Sequence, residues 1–305
     1  MPLKNGQFID FDVWGTRGSR SLVPPRSEIG NLTSCYSLSD GEQVFVFDAG
    51  RGLAAFSHAL MTDRRFQNVK SIHILITHAH MDHWEGLKDA DWFWNRGNGY
   101  DLTIYGRSEA QKAILSAYEH PSYVQLDILA MGTVAKLERV EIQLREPQKI
   151  GSWKLEAFPL NHYSGAGDYK RFLDAAGFQA TIPGGPVVAY LCDHEPTTGT
   201  LAAEEEIVRS SDLVVFDASY AAVKDQAYGH GSQEHAANMA RRHGKTMVLG
   251  SHHGATLPDA KILEAQKEFG RGVRNYKLAV EGNYFRWDAR KKAFGPVRKR
   301  KIPKI

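Results

Sequence analysis

The chain has 305 residues, and its 38 Lys and Arg residues against 35 Asp and Glu residues give a formal charge of +3. Its 42% hydrophobic and 24% charged residues are typical of an ordinary globular protein. No apolar run approaches the roughly 20 residues that a transmembrane helix needs, so we expect no membrane span. The N-terminus lacks the apolar core of a secretory signal, and two cysteines cannot form a disulfide framework. These features predict a cytoplasmic protein.

The positive charge is concentrated at the C-terminus. Residues 289–305 contain eight Lys and Arg residues and no acid, and subtracting these eight from +3 leaves −5 for the first 288 residues. We therefore expect one domain over residues 1–288 and a basic, flexible tail over residues 289–305. Such a tail could bind nucleic acid, although solvated tails of this composition are common.

Short apolar, β-branched runs alternate with helical patterns along the chain. The runs predict strands at residues 43–47, 71–77, 102–105, 187–191, 213–216 and 246–249. The helical patterns cover residues 52–61, 108–118, 232–243 and 258–269. Most candidate functional residues follow a strand end, where loops hold polar groups over a rigid sheet. The alternation predicts an α/β fold.

The strongest functional motif is a histidine-rich run at the end of the strand predicted at 71–77. It contains His78, His80, Asp82 and His83 within six residues. Positions two apart in extended backbone face the same side, so His78 and His80 can bind one ion together, whereas Asp82 and His83 can turn toward a second. Imidazole and carboxylate ligands without cysteine are typical of a catalytic zinc site rather than a structural one.

This run resembles the His-x-His-x-Asp-His motif of the metallo-β-lactamase superfamily. The resemblance implies a four-layer αββα sandwich and a site with two metal ions. Further positions match in order, each after a predicted strand: Asp48, His162, Asp193 and His252. Asp48 would orient the metal-binding loop through hydrogen bonds.

The resemblance assigns a ligand set to each ion. The first zinc would be bound by His78, His80, His162 and Asp193, and the second by Asp82, His83, His252 and the bridging Asp193. Mn²⁺ or iron could occupy similar ligand sets. His253 is an alternative to His252, which we favour because it comes first after the strand. His194 would face away from Asp193, and the remaining histidines, including His73 and His235, are interpreted as structural.

A second group of residues is similar to the phosphodiesterase branch of the superfamily, which includes ribonuclease Z and cyclic-nucleotide phosphodiesterases. Asp217 follows a strand, and His230 lies in a Gly-His-Gly-Ser stretch before a helix. The resemblance makes Asp217 an orienting carboxylate and His230 the general acid that protonates the leaving alkoxide. The sequence departs from ribonuclease Z in having Asp217 rather than Glu and in placing Gly231 before Ser232. Alternatively, the stretch is a turn in which Ser232 caps the helix.

The predicted activity is phosphodiester hydrolysis by a metal-bridging hydroxide, with Asp82, Asp217 and His230 as catalytic residues. Arg17 could contact a substrate phosphate or only brace its loop. Trp84, Trp92, Phe93 and Trp94 could stack on a base, although packing is the favoured interpretation.

Several alternatives remain open. The same metals could serve a thioesterase, lactonase or β-lactamase, and a less favoured hypothesis is a nucleic-acid-binding protein with vestigial activity. Expected substrates are small phosphodiesters or nucleotides. The resemblance also raises the expectation of a homodimer.

Overall fold

The computed structural model describes residues 8–22, 27–95 and 99–300. Two mixed β-sheets lie face to face, with helices against their outer faces. Three separate hydrophobic clusters fill the space between the first sheet and its helices, between the two sheets, and between the second sheet and its helices. Three apolar layers between four layers of secondary structure make the αββα sandwich that the sequence predicts. Within the described residues, no helix combines the length and apolarity needed to span a membrane.

The strands vary in length from two to seven residues. In chain order they are β1 (Asp10–Gly15), β2 (Cys35–Ser39), β3 (Gln43–Phe47), β4 (Ser71–Ile76), β5 (Asp101–Gly106), β6 (Lys136–Glu141), β7 (Gln148–Ile150), β8 (Trp153–Pro159), β9 (Tyr163–Ser164), β10 (Arg171–Phe172), β11 (Ala176–Thr181), β12 (Val187–Leu191), β13 (Leu213–Asp217), β14 (Met247–Ser251), β15 (Tyr276–Leu278), β16 (Asn283–Asp288), β17 (Ala293–Phe294) and β18 (Arg298–Lys299). The α-helices are α1 (Gly52–Thr62), α2 (Asp91–Trp94), α3 (Ser108–Ala117), α4 (Leu126–Ala130), α5 (Leu201–Arg209), α6 (Gln233–Arg242) and α7 (Asp259–Phe269).

Both sheets contain a parallel half that ends at the functional site. The first sheet has the order β17-β16-β1-β2-β3-β4-β5-β6, with β18 also paired to β16, and the second has the order β15-β14-β13-β12-β11-β8-β7. Strands β3 to β6 are parallel, as are β12 to β15. Helices α5, α6 and α7 connect the parallel strands of the second sheet. The carboxyl ends of neighbouring parallel strands therefore meet at one edge of each sheet.

The predicted strands and helices agree with the observed ones to within one or two residues at each end. Parallel strands covered on both faces are expected to be continuously apolar. Leu213–Asp217 fits this expectation, because all five of its residues are buried. Its last residue, Asp217, is nevertheless charged, so a buried carboxylate stands at the strand end.

The C-terminal segment differs from the flexible tail predicted over 289–305. Strand β17 forms a hairpin with β16, and the buried Phe294 packs against Trp287. Strand β18 pairs with Asn283 and Tyr284. Arg300 forms an ion pair with the buried Asp12 and lies over the ring of Trp14 at 4.1 Å. These apolar and ionic contacts hold residues 293–300 in the first sheet, and residues 301–305 lie outside the described residues.

Candidate metal and active site

The predicted metal ligands lie in loops that follow strands of both sheets. His78 and His80 follow β4, and Asp82 and His83 form part of a short 3-10 turn, Met81–His83. The second sheet contributes the remaining ligands from the ends of β8, β12 and β14: His162, Asp193 and His252. The site is therefore built where the strand ends of the two sheets approach each other.

The side chains form two adjoining groups of potential ligand atoms. His78, His80 and His162 form one group, and Asp82, His83 and His252 form another, with the ligand atoms of each within 4.8 Å of one another. Nε2 of His162 lies 3.1 Å from Nδ1 of His80.

Asp193 lies between the two groups. One of its oxygens, Oδ2, lies 3.0 Å from Nε2 of both His83 and His252, whereas Oδ1 lies 3.5 Å from Nε2 of His162. A carboxylate in this position can reach an ion in either group.

Several ligand atoms are buried and form no hydrogen bond of suitable geometry among the described residues, although three of them face one another at 3.0 Å. They are Nε2 of His78, His83 and His252, and Oδ2 of Asp193. Buried polar atoms normally have a partner, and buried charges are normally paired or coordinate a metal. Histidine nitrogens and carboxylate oxygens are suitable ligands for Zn²⁺. The donor set therefore fits two divalent ions.

The protonation states favour cation binding at most of these positions. Burial lowers the pKa of His78 well below its ordinary value and that of His162 to about 4, so both imidazoles are neutral at pH 7. Burial opposes ionisation of Asp193, but His252 and His83 outweigh it and hold its pKa well below the usual range. Metal binding requires neutral imidazoles and ionised carboxylates.

His83 is the exception among the ligands. Burial opposes its protonation, but Asp193, Asp82 and Asp48 outweigh burial and raise its pKa well above the ordinary value. A cation at this position would have to displace the proton. Metal binding should therefore release a proton from this side of the site.

Asp48 fixes the loop that bears the histidines. Its Oδ1 accepts hydrogen bonds from the backbone N–H and the hydroxyl of Thr77, at 2.9 and 3.0 Å. Its Oδ2 lies 2.7 Å from Nδ1 of His83 and accepts a hydrogen bond from Tyr190. With Nδ1 of His83 held in this way, Nε2 faces Asp82 and Asp193. This geometry matches the orienting role expected for Asp48.

Three site residues have left-handed backbone conformations one or two residues after a strand. Asp48 has φ 56°, Asp193 has φ 59° and His252 has φ 54°. This region is uncommon for residues with a side chain, and such strain persists only where the surrounding structure enforces it. At each position the turn brings a polar side chain to the candidate ligands at the strand ends. Gly18 faces His252 closely, since a Cβ atom there would lie 2.3 Å from the imidazole ring.

His252 and His253 have opposite orientations. The His252 ring contacts Asp193 and stacks on His83, with ring centroids 5.3 Å apart. His253 belongs to none of the ligand groups found among the described residues. It is fully buried, and burial followed by Arg17 lowers its pKa to about 3. The geometry brings His252 rather than His253 to the candidate metal site.

Asp217 and His230 form a pair at the edge of this site. Nδ1 of His230 lies 2.8 Å from Oδ2 of Asp217, and the His230 ring stacks on His252 with centroids 5.0 Å apart. Burial opposes protonation of His230, but Asp217 and then Asp193 outweigh it and raise its pKa to about 9. Asp217 is in turn fixed by hydrogen bonds from the backbone N–H groups of Asp193 and Ser219. In the metal-free protein, His230 is therefore a protonated imidazole beside the candidate ligands at pH 7.

The turn and helix cap considered for the Gly-His-Gly-Ser stretch are present, and they leave His230 beside the candidate ligands. Ser232 accepts a hydrogen bond from the backbone N–H of His235 and so caps α6. Gly229 has φ +78°, and its carbonyl lies 2.9 Å from Nδ1 of His162. The helix cap and the turn thus place His230 next to the metal ligands.

A cavity of about 500 Å³ opens beside the pair. Its lining includes His230 and His252 together with the loop residues Ser19 and Arg20 and, across from them, Tyr220. The cavity is large enough for a small organic ester. The site thus combines a His/Asp cluster compatible with metal binding, a histidine–carboxylate pair and an adjoining cavity.

Family comparisons agree with this geometry. Residues 43–253 match the family model described as a beta-lactamase superfamily domain. The chain belongs to the beta-lactamase superfamily. It is 33% identical over 104 residues to a ribonuclease Z from Salinibacter ruber, a match that covers 31% of each chain. The match thus spans under a third of that relative.

Solved structures of metallo-β-lactamase-fold proteins resemble the whole molecule. Yeast PDE1 has a TM-score of 0.63 at 15% identity, covering 91% of this chain and 99% of PDE1. YhfI from Bacillus subtilis has a TM-score of 0.62 at 17% identity, covering 92% and 99%. At these identities the likeness establishes the fold alone. Together with the family match, it makes this chain a metallo-β-lactamase-fold hydrolase with a His/Asp cluster compatible with metal binding.

Sequence reasoning missed a buried hydrogen-bond network behind the candidate ligands. Nε2 of His194 lies 2.9 Å from Oε1 of Glu204, and Nδ1 of His194 accepts a hydrogen bond from the backbone N–H of Asn161. The other Glu204 oxygen, Oε2, lies 2.7 Å from Nε2 of His235 on α6. His235 therefore has a specific partner that its sequence neighbourhood does not indicate. The network connects the His162 loop, the Asp193 loop and the helix after His230.

Glu195 provides a second connection between the same loops. Its carboxylate accepts hydrogen bonds from the hydroxyl of Tyr163 at 2.5 Å and from the backbone N–H of Gly229 at 3.0 Å. Its backbone N–H donates to the Asn161 carbonyl. His162, Asp193 and His230 are thus held together by their sequence neighbours. The only sequence signal for this role is the polar run that follows Asp193.

Arg17 braces the N-terminal loop and does not face the cavity. Its side chain is fully buried, and it bonds to the Gly30 and Leu257 carbonyls and forms an ion pair with Asp259. Arg20, three residues later, is exposed and lines the cavity. The bracing interpretation of Arg17 therefore agrees with the structure.

The aromatic residues after the histidine motif mainly pack in the core. Trp84, Trp92 and Phe93 are buried in the cluster between the first sheet and its helices. Trp94 is 57% exposed, and its indole N–H donates to the Lys88 carbonyl. Packing, the favoured interpretation, therefore holds for the first three residues.

Proposed function

We propose that this protein is a dinuclear-zinc phosphodiesterase that acts on small phosphodiesters or nucleotides. The observation that carries the proposal is the His230–Asp217 pair beside the candidate metal cluster. Its 2.8 Å contact lies at the wall of the cavity, and it adds a proton donor to the ligand set. An alkoxide is a poor leaving group without a proton, whereas a thiolate leaves more readily. A dedicated acid therefore favours phosphate diesters over thioesters.

Two zinc ions would be held in the way that the donor atoms suggest. His78, His80 and His162 would bind one ion, Asp82, His83 and His252 the other, and Asp193 both. Bound divalent ions supply Lewis-acid polarisation of a phosphoryl oxygen and lower the pKa of water toward neutrality. Mn²⁺ or iron would fit similar ligands. Metal analysis of the purified protein by mass spectrometry identifies the native ion, and we expect two zinc ions per chain.

The chain's own residues would handle the leaving group. Asp217 accepts from Nδ1 of His230 and thereby keeps the imidazole protonated and fixed in direction. Nε2 of His230 is then the nitrogen that would deliver a proton to the departing oxygen. The side chain is 16% exposed at the cavity wall, so an ester in the cavity could reach this atom.

Charge near the site would attract an anionic ester. The first 288 residues carry a net charge of −5, so the attraction must be local rather than a property of the whole molecule. Among the described residues, Arg20 is the arginine that lines the cavity, together with His230. A guanidinium can donate two hydrogen bonds to one phosphate. Arg20 rather than the buried Arg17 is therefore our candidate for the phosphate contact.

A substrate panel tests the proposal. The zinc-loaded protein should hydrolyse bis(p-nitrophenyl) phosphate and at least one natural phosphodiester, such as a cyclic nucleotide or precursor tRNA. A lactone, a glutathione thioester and a cephalosporin should be poor substrates. Hydrolysis of any of these three, with no phosphodiester cleaved, would establish the alternative hydrolase class.

Substitution of Arg20 by alanine should weaken substrate binding. Because hydrogen bonds to charged groups contribute about 1.5–3 kcal/mol, KM for a phosphodiester should rise roughly tenfold or more while the melting temperature stays constant. Arg64→Ala removes an exposed arginine outside the cavity and serves as the matched control. Equal kinetic effects of the two substitutions would exclude a specific phosphate contact at Arg20.

A further inference from the structure

Two of the three histidines in the first group of candidate ligands are held in one tautomer by their neighbours. Nδ1 of His162 lies 2.9 Å from the Gly229 carbonyl, which can only accept, so this nitrogen carries the proton. Nδ1 of His78 lies 2.9 Å from the hydroxyl oxygen of Thr77, whose own proton is donated to Asp48. The Thr77 oxygen therefore accepts from Nδ1 of His78. In both neutral imidazoles Nε2 keeps a lone pair for a cation.

His80, the third histidine of the group, is held differently. Its Nδ1 lies 3.1 Å from Nε2 of His162, so Nδ1 is the nitrogen that faces the other candidate ligands. Its Nε2 lies 2.6 Å from Oγ of Ser164. A carbonyl only accepts hydrogen bonds, whereas a hydroxyl can donate or accept. The contact with Ser164 therefore permits either tautomer of His80.

The two tautomers of His80 suit different states of the site. With its proton on Nδ1, His80 donates to Nε2 of His162, and the Ser164 hydroxyl donates to Nε2 of His80. A cation needs the lone pairs of both facing nitrogens, so His80 must release the Nδ1 proton to water and take up another on Nε2. The Ser164 hydroxyl then rotates and accepts from that N–H. Both arrangements use the same 2.6 Å contact.

The hydroxyl is positioned by a short hairpin of β9 and β10 that belongs to neither main sheet. Tyr163, the residue before Ser164, donates from its hydroxyl to Glu195 at 2.5 Å. Gly165, the residue after it, turns the chain with φ +77°, and a Cβ atom there would lie 2.5 Å from the Tyr169 carbonyl oxygen. The backbone of Ser164 is thus held from both sides, and its hydroxyl can rotate toward either hydrogen-bonding role.

We propose that Ser164 is a positioning residue that directs Nδ1 of His80 toward the first ion by accepting a hydrogen bond from Nε2. The inference rests on the dinuclear metal site of the proposed function and deepens it, because it concerns the affinity of one of the two ions. Removing the partner of a metal-binding histidine typically costs about 10- to 100-fold in metal affinity. Without the hydroxyl, the N–H of His80 would lose its acceptor and the ring its fixed direction.

Zinc titration of the metal-free protein in competition with a chromophoric chelator tests the proposal, because it gives a dissociation constant for each ion. In Ser164→Ala, one constant should rise roughly 10- to 100-fold, and the other should stay close to the wild-type value. Ser164→Thr keeps the hydroxyl and should match wild type at both ions. Ser122→Ala removes an exposed serine outside the hairpin and serves as the matched control. Equal losses in Ser164→Thr and Ser164→Ala would contradict a role for the hydroxyl.

Long-range 1H–15N NMR correlations identify the ring nitrogen of His80 that carries the proton. In the zinc-loaded wild type the proton should lie on Nε2, and it should exchange with water faster in Ser164→Ala. Zinc bound through Nε2 of His80 would overturn the proposal. An equal rise of both dissociation constants, with a lower melting temperature of metal-free Ser164→Ala, would also overturn it, because the substitution would then only disturb the fold.

The titration also separates this proposal from the proposed function. A wild-type protein that binds fewer than two zinc ions would contradict the dinuclear site itself. Two bound ions with unchanged constants in Ser164→Ala would reject the role of Ser164 alone. The expected effect of Ser164→Ala in a protein that cleaves no phosphodiester would support the positioning role and contradict the phosphodiesterase activity.

Discussion

Two histidine–carboxylate pairs adjoin the candidate ligands and differ mainly in what the second imidazole nitrogen contacts. His230 pairs with Asp217 at 2.8 Å, and His194 pairs with Glu204 at 2.9 Å. The His194 side chain is 3% exposed, and its second nitrogen accepts a hydrogen bond from Asn161. The His230 side chain is 16% exposed and lines the cavity.

This difference determines what each pair can do. Both nitrogens of His194 have partners, so the imidazole is fixed in one tautomer with the proton on Nε2. Its role is therefore to connect the neighbouring loops to α5. In His230 the carboxylate occupies Nδ1 alone, which leaves Nε2 for a ligand in the cavity. A histidine–carboxylate pair therefore fixes neighbouring loops at His194 and is a candidate general acid at His230.

The largest expected effect is on the exposed pair. His230→Ala in the zinc-loaded protein should reduce kcat by about 100-fold or more for alkyl phosphodiesters, since general acid catalysis typically contributes a factor of about 10²–10⁴. p-Nitrophenolate leaves without help, so its esters should lose much less. Steady-state kinetics on a leaving-group series gives the comparison, and an equal loss for both kinds of ester would contradict the acid role.

A smaller effect is expected at the buried pair. Glu204→Gln removes the charge that accepts hydrogen bonds from His194 and His235, and unfolding free energy should fall by about 1.5–3 kcal/mol. Because the network only positions loops, any loss of kcat should be equal across the leaving-group series. Denaturant unfolding and the same kinetic series provide the measurements.

The neighbouring residue offers a control for that substitution. Glu205 is half-exposed and pairs with the exposed Arg242 at the protein surface. Glu205→Gln should therefore change stability by less than about 1 kcal/mol. A leaving-group dependence in Glu204→Gln as strong as that of His230→Ala would show that the buried pair also takes part in proton transfer.

The two pairs also differ in how well the sequence predicts them. The positions of His78, His80, Asp82 and His83 follow from one short motif at a strand end, and the other candidate ligands each follow a strand in a fixed order. The Asp217–His230 pair is also marked by a strand end and a glycine-rich turn. Such positions are predictable because the backbone of parallel strands brings their ends together.

The hydrogen bonds that join Glu204 to His194 and His235 could not be predicted in this way. Glu204 lies on α5 and has partners ten residues before it and 31 residues after it, so no local pattern connects the three residues. The same limitation applies to Arg17 and Arg20, whose different environments depend on distant residues such as Asp259. The C-terminal hairpin did have a local signal, because buried and half-buried residues alternate along Asn283–Asp288, but the high charge of the segment favoured a flexible tail.

The smallest expected effect is a change in proton affinity at His230 in the metal-free protein. Asp217 and Asp193 raise the pKa of His230 to about 9 against the effect of burial. Asp217→Asn should lower this pKa. The pKa should still lie above the value set by burial alone, because the negative charge of Asp193 remains. Titration of the His230 ring resonance by NMR measures the change. Burial lowers the pKa of His73 to about 4, so its resonance should not titrate between pH 6 and pH 10 in either protein.

The sign of the accompanying stability change is fixed by the direction of the shift. A pKa that is higher in the folded state contributes stability that is complete below the unfolded value of about 6.5 and is lost as the pH rises through about 9. The metal-free wild-type protein should therefore lose stability over this interval, and Asp217→Asn should lose less. An unchanged His230 titration in Asp217→Asn would mean that the carboxylate only fixes the imidazole geometrically, and the difference between the two pairs would then reduce to exposure alone.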